Sequence, residues 1–225
     1  MESIFNNLPL TTVLLGNIII SWIGIFFLWG APVKTEYRGL KLSFVMFWIF
    51  IIIYYLCRAG VEYYFISTSR FICFLSPTGE GIHPKILPDF LWLLLVITAD
   101  FSAIALLIGG IIHFTRNRRY LKIAVLLSFF GFISAWISAG YLKHNSVSAV
   151  ITFLVFIYLG WRVRIKYITS SVLFIGYAFL NLPFFLLSGN APEALKHTIF
   201  TLLFVSKFSL IVAMYNVLGV SGKIE

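Results

Sequence analysis

Three ionisable side chains set inside apolar segments carry the chemistry this chain can do: Lys207, Asp89 and Asp100. Lys207 stands near the middle of the apolar run 198–217, with no other charge in it. An ammonium in hydrocarbon costs several kcal/mol, so a lysine there marks a functional site by default. Lysine is also the side chain that forms Schiff bases with carbonyl compounds. Asp100 follows Asp89 by eleven residues, close to three helical turns, so both carboxyls project from one helix face, about 16 Å apart.

The elements that must position these groups are membrane spans. The chain of 225 residues is 60% hydrophobic and only 11% charged, with a mean hydropathy of +0.98, whereas a soluble domain is about 25% charged. Stretches of roughly 20 mostly apolar residues suffice to span a bilayer. Seven segments meet that length or come near it: 10–31, 42–65, 86–113, 121–142, 146–162, 168–189 and 196–219. The expectation is an all-α, seven-helix transmembrane bundle forming one domain over residues 1–225. The first residues lack a basic stretch and a small-residue cleavage site, so no removable signal peptide is expected.

Charge gives the direction of the spans. With the N-terminus outside, eleven basic residues fall on the cytoplasmic side, five on the outer side, and Lys207 lies within the membrane. The cytoplasmic set includes Lys34, Arg38 and Lys41, then Arg116, Arg118, Arg119 and Lys122, then Arg162, Arg164 and Lys166. That asymmetry obeys the positive-inside rule and predicts a cell-membrane protein with the N-terminus out and the C-terminus in. It also accounts for the net charge of +9 without nucleic acid. The longest connection, 65–85, lies outside. Cys57 and Cys73 form no disulfide framework or metal spacing. The histidines, His83, His113, His144 and His197, sit at loops or helix ends, so no metal site is expected. No Ser-His pair or phosphate-binding glycine loop points to an enzyme.

Helix direction sets depth. The third and seventh spans both run inward, which puts Asp89 about 8 Å deep, Lys207 about 16 Å and Asp100 about 24 Å. A buried cation needs a counterion, and Asp89 can serve. A carboxyl on the inner side, in an apolar setting, can hold a proton. Acceptor outside, cation in the middle and donor inside is the layout of an outward proton relay. Plainer roles stand beside these: Asp89 as an interfacial residue at a helix N-terminus, Asp100 as a hydrogen-bonding partner of a neighbouring helix, and Lys207 as structural glue.

The chain resembles the microbial (type 1) rhodopsins, the proteorhodopsin-like group above all, in a patchy way over nearly all 225 residues. Phe204-Val205-Ser206-Lys207 is similar to the segment ending in the family's retinal-binding lysine, and Tyr215-Asn216 to an aromatic-Asn pair further along that helix. Asp89-Phe90 resembles the Asp-Trp step at the primary counterion, and Asp100-Phe101 the acid-Phe step at the cytoplasmic proton donor. The stretch 54–61, the loop 33–40, Phe130-Gly131-Phe132 and Gly176-Tyr177-Ala178 match in pattern.

The resemblance implies all-trans retinal bound covalently to Lys207, with Asp89 as counterion and first proton acceptor. It implies Asp100 as the group that returns a proton from the cytoplasm, and Phe90, Trp92, Tyr177 and Phe184 lining or flanking the pocket. Protons and the lipid bilayer are the partners, with a homo-oligomer as an open assembly.

Departures from the family pattern bear on activity. Leu203 stands where a second carboxylate is usual, four residues before the lysine. Ile86 replaces an Arg, with Lys85 beside it, and Leu93 replaces a Thr. Tyr177 replaces the pocket Trp, and Leu180 and Asn181 stand where Tyr and Pro are usual. The first expectation is a light-driven outward proton pump. The second is a photosensory or degenerate rhodopsin signalling through a partner, and the third an unrelated seven-helix transporter or structural membrane protein.

Overall fold

The computed structural model describes residues 8–67, 86–115, 146–186 and 193–219, with five positions between 122 and 133. Among them the chain is all-helical. Six α-helices follow one another: α1 (Leu8–Gly30), α2 (Arg38–Ser67), α3 (Ile86–Thr115), α4 (Ser146–Val163), α5 (Ile168–Leu186) and α6 (Glu193–Gly219). A single 3-10 turn, Thr35–Tyr37, leads into α2. These helices overlay the first three and last three expected spans within a few residues. In the fourth, 121–142, only Lys122, Val125, Leu126, Phe129 and Ile133 are described; they are helical and exposed. The connection from 68 to 85 lies outside the described residues.

Each described helix packs on the next, α3 on α4 included, and α6 returns to pack on α1. The described helices therefore close into a ring. The core runs through its middle, with Trp48, Phe44, Phe47, Phe156 and Phe174 fully buried. Phe156 joins Phe47 of α2 to Tyr177 of α5, with ring centroids 5.7 and 4.7 Å away.

Two close approaches set how tightly the helices meet. A Cβ on Gly109 would lie 1.9 Å from Ser43 Oγ, so α2 and α3 touch at that level through glycine. A Cβ on Gly160 would lie 2.6 Å from Ile175 Cγ1, and beside it Ser171 Oγ donates to Gly160 O at 2.7 Å, joining α4 to α5.

The outside of the ring is as apolar as the inside. On α1, Leu15, Ile19, Trp22, Phe26 and Trp29 form an exposed stripe, while Leu14, Ile20 and Leu28 are buried. A helix apolar on both faces belongs in lipid or in the middle of a larger core. Three stretches, Thr35–Cys57, Ile97–Phe114 and Thr201–Gly219, are long and apolar enough to cross a membrane.

The ends of α1, α3, α4 and α6 meet the beginnings of α2 and α5 at one end of the bundle, which carries Lys34, Arg38, Arg162, Arg164 and Lys166. Pro32 cannot continue α1, and Lys41 Nζ donates to Ala31 O at 2.8 Å just past its end. Arg162 Nη2 donates to Phe114 O at 2.8 Å, serving a terminal carbonyl of α3. The His113 ring packs at a tilt against Tyr37, with centroids 4.4 Å apart. The alternation of basic loops along the sequence is thus a gathering of basic residues in space.

Candidate functional site

Lys207 faces the interior of the ring, 3% exposed. Its helix supplies a mixed inner face of Leu203, Ser206, Lys207, Leu210 and Met214, all buried. Ser206 Oγ donates back to Leu203 O at 2.7 Å, which satisfies the hydroxyl proton locally.

The lysine Nζ donates to two side chains from other helices. One is Asn17 Oδ1 on α1. The other is Tyr55 Oη on α2, at 2.6 Å, and the same ammonium lies 4.1 Å from the centroid of the Tyr55 ring. Both acceptors are neutral. A phenol and an amide can each donate as well as accept, so they can serve a nitrogen in more than one protonation state. Asn17 is 2% exposed, and its backbone carbonyl takes the Ser21 hydroxyl at 2.7 Å.

Neighbouring contacts place these groups at one level. On α1 and α2, Gly24 faces the Trp48 indole, seven residues inward from Asn17 and Tyr55 respectively. On α1 and α6, Gly16 faces the Phe204 ring. On α2 and α3, Gly109 faces Ser43, and Phe101 stacks on Phe50 with centroids 5.8 Å apart. Carrying that antiparallel register along, Tyr55 stands level with residues 96 and 97 of α3. Asp100 then lies about 5 Å further along the axis toward the basic end, and Asp89 about 11 Å the other way. The order of depth expected from the sequence is the order along the helices.

Asp100 is 1% exposed, on the same α3 face as the buried Ala103 and Ile104. Asp89 occupies the first turn of α3, three residues after its start at Ile86. The side chains of Asp89, Phe90, Trp92 and Phe184 lie outside the described residues. Of the pocket aromatics, Tyr177 is described: it is buried, packs edge-on to Phe156, and has its backbone carbonyl capped by Asn181 Nδ2 at 2.9 Å. Leu203 is buried at 8% exposure, one turn before the lysine.

Sequence reasoning found the lysine and missed its two partners. The signal for Asn17 was there: with Ser21 it forms a polar pair at i, i+4 on an otherwise apolar stretch of helix. Tyr55 lay among other aromatics, and nothing in its spacing separated it from Tyr54.

No group of His, Cys, Asp and Glu among the described residues has the arrangement of a metal site. No family model matches the chain, and no curated protein or solved structure matches it either.

Proposed function

We propose that the chain is a multi-pass protein of the cell membrane whose centre is Lys207, and that it binds all-trans retinal there. The observation that carries this reading is the buried Lys207 amine inside a closed ring of helices, hydrogen-bonded to Asn17 and Tyr55 at a level between Asp89 and Asp100. A primary amine sheltered from water is the donor that an aldehyde cofactor requires. The aromatic surroundings suit a polyene: the Tyr55 ring lies against the amine, Phe204 stands one turn before it on α6, and Tyr177 is buried on α5. The residues present therefore fit the group.

Retinal joined to Lys207 supplies light absorption and isomerisation; the protein supplies orientation and charge. Asn17 and Tyr55 fix the position of the Lys207 nitrogen. Asp89, toward the outer end, serves as counterion and proton acceptor. Asp100, buried toward the basic end, holds the proton that restores the nitrogen. Phe90, Trp92, Tyr177 and Phe184 exclude water. With the basic end in the cytoplasm, as the charge asymmetry favours, the direction of transfer is outward.

The first-choice activity is a light-driven outward proton pump. A photosensory role through a partner protein is the second reading, and Leu203 favours it. That buried leucine stands one turn from the lysine, where the resemblance leads one to expect a carboxylate.

The test is a visible spectrum of the purified protein with all-trans retinal, beside Lys207→Ala. An absorption band present in the unmutated protein and lost in the variant is expected; no band in the unmutated protein refutes the reading. Illuminated vesicles then separate the two activities. Acidification outside intact cells marks a pump, and a coloured pigment without a pH change marks the sensor.

A further inference from the structure

We propose that the turn joining α4 to α5 is a binding site for the headgroup phosphate of an anionic phospholipid. The inference rests on the bundle lying in a bilayer and is independent of retinal. Arg162 and Arg164 place their guanidinium carbons 5.5 and 5.4 Å from the centroid of the Trp161 ring, which is half exposed. Both cations are thus gathered beside one aromatic surface, and Arg164 and Lys166 are exposed. Arg162 spends one Nη on Phe114 O, and its Nε is buried with no hydrogen-bond partner among the described residues. Within the turn, the Lys166 and Tyr167 N–H groups both donate to Val163 O and are not offered to an anion. Recognition falls to the side chains.

Charge and apolar exposure point to a lipid as the occupant. From Asp100 to Glu193 the sequence contains no acidic residue, so these segments hold no carboxylate to neutralise the turn. Among the described residues, Glu36 is the one acidic side chain at this end of the bundle. A phosphate from outside the chain fills that role, and arginine is suited to it by its forked donors. On the same turn Ile165 is 91% exposed and Ile168 72% exposed. Two isoleucines beside two arginines and a tryptophan match the boundary between headgroup and acyl chain, where tryptophan concentrates. A free phosphate ion would use the cations and leave the exposed isoleucines without a partner.

The experiment uses the full chain purified in detergent. An equimolar mixture of phosphatidylglycerol and phosphatidylcholine is added, and retained lipid is counted by native mass spectrometry. Preferential retention of phosphatidylglycerol is expected. In Arg164→Gln/Lys166→Gln the preference falls about fivefold for each charge removed. Arg38→Gln, an exposed change at the same end, leaves it intact. In the unmutated protein, brominated phosphatidylglycerol quenches tryptophan emission more than brominated phosphatidylcholine does, and the difference disappears in Trp161→Phe. Equal retention of the two lipids overturns the proposal. So does a double variant that retains the preference, an Arg38→Gln loss as large as the double variant's, or complete displacement of the lipid by inorganic phosphate.

Discussion

Replacing Asn17 with leucine tests whether Lys207 is held at a cost or serves as a staple. Asn17 Oδ1 is one of two described acceptors of an ammonium that is 3% exposed. Asn17→Leu keeps the volume and removes that acceptor, leaving a buried charged donor short of a partner. A hydrogen bond to a charged group is worth about 1.5–3 kcal/mol, and the variant should lose about that much stability. Lys207→Met removes the donor instead and leaves only a neutral amide short, with Tyr55 half-buried and able to find another partner; the loss should be about 1 kcal/mol or less. The double variant Asn17→Leu/Lys207→Met removes both partners for apolar groups of similar shape. Such exchanges are close to neutral, so the double should lie within about 1 kcal/mol of the unmutated protein. Its stability should exceed that of Asn17→Leu alone, giving a coupling of about 2 kcal/mol. Tryptophan fluorescence in detergent, followed against denaturant, measures all four proteins without retinal. Additive losses would refute the argument that the pair is coupled. A double variant less stable than either single one would make Lys207 a structural staple and remove the reason for assigning it a function.

The close approach of α2 and α3 makes a second prediction: Gly109→Ala should destabilise by about 1–3 kcal/mol through overpacking against Ser43, and Ser43→Gly should restore most of the loss in the same unfolding assay. A pH effect is expected at the basic end. The neighbouring Tyr167 raises the Lys166 pKa above its ordinary value, while burial, then the nearby Tyr37, raises that of Tyr167. Both groups are therefore protonated more readily when folded, so their contribution is full below about pH 10 and is lost as pH rises through the raised values. Lys166 is mostly exposed, so the change should be small; unfolding midpoints from pH 8 to pH 11 should fall, and Tyr167→Phe should flatten the fall.

Much of the fold was legible because its signals are local. Apolar length gave six helices to within a few residues, and alternating basic loops became one basic end once α3 had been capped by Arg162 and α1 by Lys41. Element ends were less legible, since capping contacts come from distant helices. The apolar stretch 42–65 gave no sign that α2 begins at Arg38, where a buried Tyr37 and the His113 ring fix the entering turn. At the site, Lys207 and the eleven-residue spacing of Asp89 and Asp100 were readable because a charge in an apolar run is conspicuous and helical depth follows from counting. Asn17 and Tyr55 were not, because their roles depend on which helix closes the ring.

That closure is what turns three side chains into a site. α6 reaches Asn17 because it packs on α1, and it reaches Tyr55 because α1 and α2 are in register through Gly24 and Trp48. A lysine on an isolated helix would extend its head toward the membrane surface. Here the head is turned inward and donates to the Asn17 amide and the Tyr55 phenol. A design for stability alone has cheaper choices at this level: leucine at 17 and methionine at 207 would pack with no polar group to satisfy. A design for moving a proton needs a nitrogen that stays buried in both protonation states and carboxyls at unequal distances along the axis. About 5 Å to the Asp100 level and about 11 Å to the Asp89 level provide that inequality. The shorter step lies toward the basic end. If the proposed relay operates, Asp100→Asn should slow the return of the proton to the Lys207 nitrogen, and Asp89→Asn should abolish its departure. Time-resolved absorption of the two variants distinguishes these effects. Identical kinetics in both would show that depth along α3 does not set the order of transfer.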